Sequence, residues 1–135
     1  VKRVIKAHVE AALLRGVAGA ARLDAEDRKK PIMVVEEIRT RDWASATFVG
    51  ALVSMALRLE GEEAAVTAAM AELGARLPDW EFRIPGQIVA DIGLLPDAHD
   101  TRSPDSEAVG NGRVPNLGPS TVSRLFVVEA LTIID

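Results

Sequence analysis

Val66, Ala69, Met70, Leu73 and Leu77 recur at steps of three and four, with small and charged residues between them. This is a single apolar stripe on a helix. It begins at Glu62 and Glu63, whose carboxylates complement the N-terminal dipole, and stops at Pro78 and Asp79. On either side of the stripe the apolar period changes to two. Upstream, Val53, Met55, Leu57 and Leu59 point one way, and Ser54, Ala56 and Arg58 the other. Downstream, Ile88, Ala90, Ile92 and Leu94 alternate in the same manner. A one-sided helix set between strands has to bury its stripe against the sheet those strands make, so few layered architectures remain.

The rest of the chain fills in that frame. Val1, Ile5, Val9, Ala12 and Leu13 form one face of an opening helix, with His8 on its apolar edge. Gly16 and Gly19 weaken the end of this helix, and the polar run Asp24–Lys30 makes a loop. Pro31 opens a strand in which Ile32, Val34 and Ile38 alternate. The stretch RTRDWAS that follows is polar and unperiodic, which predicts a hairpin tip or a strand extension. A long strand over Thr47–Leu59 comes next, with Gly50 expected to mark a bulge or bend. Trp80, Phe82 and Ile84 alternate with Glu81 and Arg83 ahead of a Pro85-Gly86 turn. The last strand, Val122–Ile134, is apolar on both faces, which predicts a central, covered position. The expected fold class is therefore α+β: an antiparallel sheet of four or five strands, with two helices packed on one face. At 135 residues the chain suits a single domain spanning 1–135.

One segment does not belong to that frame. Residues 95–121, LPDAHDTRSPDSEAVGNGRVPNLGPST, hold four of the seven prolines and three of the ten glycines, with no apolar period. A long loop or hairpin protruding from a small domain is usually functional or disordered. Residues 95–121 are expected to act as an assembly arm, and the polar stretch Arg39–Ser45 to form a second protrusion, both able to bury surface on a neighbouring subunit. Arg39, Arg41, Arg102, Arg113 and Trp43 are the candidate interface residues, because Arg and Trp are enriched where interfaces are anchored.

Composition removes several function classes. There is no cysteine, so disulfide and thiolate chemistry are excluded. The formal net charge is −4 with both signs interspersed, which leaves no overall basic footprint for nucleic acid. No apolar run is long enough to span a membrane, and the opening VKRVIKAHVE lacks a signal-type apolar core. Catalytic patterns are equally scarce. Asp97, His99 and Asp100 are the nearest approach to a metal cluster, without a second group to complete the ligand set, so a solvated loop is the expected reading. Ser103, Ser106 and Ser120 lie near His99 in the chain, yet no G-x-S-x-G elbow is present. Glu36 and Glu37 are expected on opposite faces of their strand. Gly16-Val17-Ala18-Gly19 follows a helix instead of preceding one, and lacks the Lys-Ser/Thr of a phosphate loop. No catalytic residue, cofactor or metal is expected.

The element order carries a resemblance over nearly the whole chain. After the amphipathic N-terminal helix come PIMVVEEI, the long strand ATFVGALVSMALRLEG, the acidic-led helix EEAAVTAAMAELGARL, the strand IPGQIVADIGLL, a variable loop, and the closing strand SRLFVVEALTIID. In pattern and spacing this resembles the tail-terminator, or tail-completion, proteins of long-tailed phages and phage-like gene transfer agents. The resemblance implies a small structural α+β subunit that forms a homo-oligomeric, commonly hexameric, ring at the head-proximal end of the tail tube. Such a ring ends tube polymerisation and meets the head–tail connector protein, while DNA passes through without being read. The tail tube protein and the connector would be its partners. The tail of a virion or phage-like particle, assembled in the host cytoplasm, would be its place. Two other readings remain from the residues. One is a dimeric ferredoxin-like ligand-binding protein or small enzyme, with a pocket between sheet and helices lined by polar groups in apolar surroundings. The other is a small adaptor that offers a sheet edge or the arm to a partner.

Overall fold

The computed structural model describes residues 2–96 and 121–134. Helix α1 spans Lys2–Ala20, strand β1 Ile32–Ala44, strand β2 Val49–Glu62 and helix α2 Glu63–Arg76, with a short 3₁₀ turn over Leu77–Asp79. Strands β3, Gln87–Pro96, and β4, Thr121–Ile134, complete the described elements. The sheet has four strands in the order β1-β2-β4-β3, and each neighbouring pair is antiparallel. The expected α+β architecture is what the chain adopts, with β4 in one of the two central positions.

One face of the sheet carries the core. Val53, Met55, Leu57 and Leu59 of β2 register beside Phe126, Val128 and Ala130 of β4, and all are buried. Leu13 and Val17 of α1 and Val66, Leu73 and Leu77 around α2 close over them in one cluster. The α2 stripe is thus the buried stripe read from the sequence. Strand β2 runs into α2 without a loop, since Glu62 ends one and Glu63 begins the other. Pro78 then tightens the exit into the 3₁₀ turn, where the Trp80 amide donates to the Leu77 carbonyl at 3.2 Å.

Gly16 and Gly19 do not end α1, which continues to Ala20. A Cβ on Gly16 would stand 2.1 Å from Cε2 of Phe82, and one on Gly19 2.8 Å from Cζ2 of Trp80. The two glycines form a notch in the helix surface that receives these aromatic rings. Trp80 and Phe82 therefore serve as packing residues against α1, and the stretch they occupy is not a strand: β3 starts only at Gln87, after a single bridge from Ile84. The true end of α1 is a Schellman turn, in which the Leu23 amide donates to the Ala18 carbonyl and the Arg22 amide to the Gly19 carbonyl, both at 3.0 Å. Arg22 takes the left-handed conformation, φ 59°, that glycine usually occupies there.

Further sequence expectations are corrected in β1 and β2. Of the two expectations for RTRDWAS the strand extension is the one realised: Arg39–Ala44 is the second half of β1 and no protrusion, and the hairpin tip is only the short connection from Ser45 to Phe48. Ser45 builds that tip: its Oγ accepts the Phe48 amide at 3.1 Å, and its own amide donates to the Phe48 carbonyl at 2.8 Å. Gly50 holds register in both ladders. The bulges lie elsewhere, between Val35 and Glu37 in β1 and between Val89 and Asp91 in β3. Gly50 is required for another reason, because a Cβ there would stand 1.8 Å from the Thr132 carbonyl oxygen of β4. The β1 bulge also changes the fate of Glu36 and Glu37. Glu36 is the extra residue, and its carboxylate pairs with Arg58, while Glu37 pairs with Arg39 at 2.8 Å. Both carboxylates therefore meet arginines of the same sheet face, not of opposite ones.

Candidate functional site

Among the described residues, both helices lie on the core face, and the opposite face of the sheet carries the candidate interface residues. Register fixes which residues share it. Across the four strands, Arg41 stands level with Leu52, Leu131 and Asp91. The next row is Arg39, Ser54, Glu129 and Gly93, and the row on the other side is Trp43, Gly50, Ile133 and Ile88. The middle of this face is apolar: Leu52, Val127, Leu131 and Ile133 are half-buried, and Leu125 extends the patch along β4. Its margins are charged with opposite sign. Arg39 and Arg41 line the β1 margin, and Asp91 and Glu129 the β3 side.

These charges have few partners. Among the described residues Arg39 pairs with Glu37 of its own strand, and their side chains are 78% and 54% exposed, so water screens the pair. Arg41, Asp91 and Glu129 are exposed and make no ion pair among the described residues. Arg58 differs. It sits between Glu36 and Glu60 on β2, with Nε 3.0 Å from a Glu60 carboxylate oxygen but not aligned to donate to it, so the far end of the same face carries a local ionic cluster.

Of the five residues expected at an interface, β1 brings Arg39, Arg41 and Trp43 together on one sheet face at alternate positions. Trp43 is half-buried opposite Gly50. Arg102 and Arg113 lie outside the described residues, as do the 97–120 part of the expected arm and the acidic group Asp97, His99 and Asp100. Asp91, Glu129 and Leu131 were not legible as members of this surface, since only strand register reveals that they stand in line with the arginines.

A second feature lies at the hairpin end of the core face. A cavity of about 470 Å³ opens there, lined by Val9, Thr40, Asp42, Val49, Gln87 and Ile134 among others. Val49 and Ile134 form an apolar rim, each 56% exposed. Its polar groups are few. The Thr40 hydroxyl donates to Glu10 at 2.5 Å, whereas the Gln87 Oε1 is buried without a partner among the described residues. Among the described residues no group of three acidic, histidine or cysteine side chains could hold a metal, and His8 is exposed on α1. Among the described residues, the geometry therefore offers surfaces and an apolar pocket.

No protein-family model matches the chain, and neither a curated protein nor a solved structure does.

Proposed function

We propose that this chain is a structural assembly subunit of the tail-terminator kind, which forms a homo-oligomeric ring, ends polymerisation of a tail tube and meets a head–tail connector. The observation that carries the reading is the half-covered sheet. An apolar centre flanked by opposite charges faces away from both helices, and the outer strands β1 and β3 have unused edges among the described residues. A subunit that repeats around a ring needs two different complementary surfaces, because head-to-tail contacts close rings where self-complementary ones close dimers. The element order that carries the resemblance agrees with this use.

Light scattering over a concentration series, with negative-stain images of the largest species, tests it. The expected result is a closed ring of about six copies. A stable dimer with two-fold symmetry overturns the reading.

The cavity beside Gln87 favours a second reading, a small apolar ligand bound between sheet and helix. An apolar pocket of this size with one buried, unpartnered amide oxygen is what a ligand bearing a hydrogen-bond donor would fill. Native mass spectrometry of the purified protein separates the two: a co-purifying small molecule supports the pocket, and a ring without one supports assembly.

A further inference from the structure

Resting on the ring-forming reading, we propose which surfaces meet: the β3 edge of one copy pairs antiparallel with the β1 edge of the next, so that the sheets of neighbouring copies join into one. Strand direction permits this without inversion. Three successive antiparallel steps across β1-β2-β4-β3 leave β1 and β3 running in opposite directions, so a second copy displaced sideways presents β1 antiparallel to β3.

The edges are suited to it. Strand β1 is thirteen residues long and contains no proline or lysine, the residues that natural sheets use to blunt an edge. Each edge strand has one bulge, yet Asp91–Leu95 of β3 and Glu37–Arg41 of β1 are uninterrupted and stand at the same level in the sheet. The charges then complement each other. In the level register, Arg41 of one copy lies directly opposite Asp91 of the other, where cross-strand Cβ atoms are about 5 Å apart. Arg39 lies opposite Gly93, beyond which Glu129 is next in the row. A Cβ on Gly93 would have nothing within 4 Å, so the arginine has clear space to cross the glycine and reach that carboxylate. Trp43 comes level with Ile88, which is 52% exposed in the single copy. Charge, apolar contact and main-chain pairing thus agree on one register.

The sequence has no cysteine, so engineered ones report without background. Arg41→Cys and Asp91→Cys are made as separate variants, mixed and oxidised. Both positions are exposed on edge strands, and circular dichroism checks that each variant folds. Edge pairing predicts a disulfide between the two variants, none within either alone, and a ladder of multimers from the double variant. Disulfide-linked dimers of Arg41→Cys alone would instead mean a two-fold β1–β1 contact and overturn the proposal. Charge reversal gives the second reading: Arg41→Asp and Asp91→Arg each weaken assembly at least tenfold, and the two together restore it. Stacking of two open faces would also respond to charge reversal. It sets the sheets about 10 Å apart, too far for a disulfide, so restoration without cross-linking overturns edge pairing. A ring that forms with neither cross-link nor charge sensitivity overturns this inference and leaves ring formation standing; loss of the ring from the unmodified protein removes both.

Discussion

Gly50→Ala is the sharpest test of the packing described here, because one methyl group meets backbone and not a side chain. The added Cβ would stand 1.8 Å from the Thr132 carbonyl oxygen and 2.7 Å from its carbon, against the 3.0 Å that real Cβ contacts respect. The strands would have to separate by more than an ångström at that point, which a hydrogen-bonded ladder does not absorb. Gly50 and Ile133 are the first registered pair of the β2–β4 ladder, so the least costly relief is fraying of the ladder end. Giving up one or two backbone hydrogen bonds costs about 1–3 kcal/mol. Replacing glycine recovers roughly 0.5–1 kcal/mol of strand entropy. The net loss is about 1–2 kcal/mol, and urea unfolding at a fixed, low protein concentration measures it. Gly74→Ala is the internal control. Nothing lies within 4 Å of a Cβ there, and the position is inside α2, so the same chemical change is expected to add about 0.8–1 kcal/mol. Two glycine-to-alanine changes of opposite sign are the signature. Gly50→Ala as stable as the parent, or more so, would refute the close approach of the two strands.

Leu73→Ala removes a fully buried side chain from beneath α2 and is expected to cost roughly 2–5 kcal/mol in chemical denaturation; a negligible cost would place the apolar stripe on the wrong face. Arg22→Gly relieves a left-handed residue at the α1 terminus at the expense of an exposed 3.4 Å ion pair with Glu72, and thermal unfolding is expected to show a gain of about 1 kcal/mol. Gln87→Met replaces a buried, unpartnered carbonyl oxygen in the apolar cavity with a side chain that needs no partner. It is expected to raise stability by about 1 kcal/mol, and a loss of that size would mean that the amide is satisfied in solution.

Much of the fold was legible because its signals are local. The α2 stripe and the central place of β4 follow from periodicity alone, but the cover expected over the second apolar face of β4 is not supplied by the described residues, whose helices lie on one side of the sheet. What was not legible depends on partners far along the chain. The charged second half of β1 reads equally as hairpin tip or as strand extension, because an edge strand with one open face needs no apolar alternation. Gly16 and Gly19 read as weak points at the end of α1 until Phe82 and Trp80 are seen to fill the notch they leave. The extra residue at Glu36 has no signature of its own, since the bulge exists only relative to β2. The candidate surface was half visible for the same reason. Arg39, Arg41 and Trp43 stand out by composition, but Asp91 and Glu129 join them only through register across four strands.

The junction between β2 and α2 has a consequence for how the chain finds its register. Because no loop separates Glu62 from Glu63, the strand and the helix cannot adjust independently. A one-residue slip of β2 against β4 would turn Val53, Met55 and Leu57 away from the helices. The same slip would drag the start of α2 along the sheet by about 3.3 Å, carrying Val66 and Leu73 off the sites they fill. A loop of even a few residues would take up that displacement and leave a slipped sheet with a correctly docked helix. Here both errors come together, so the misregistered state loses its helix packing as well as its strand face. The helix acts as a ratchet pawl for the central ladder.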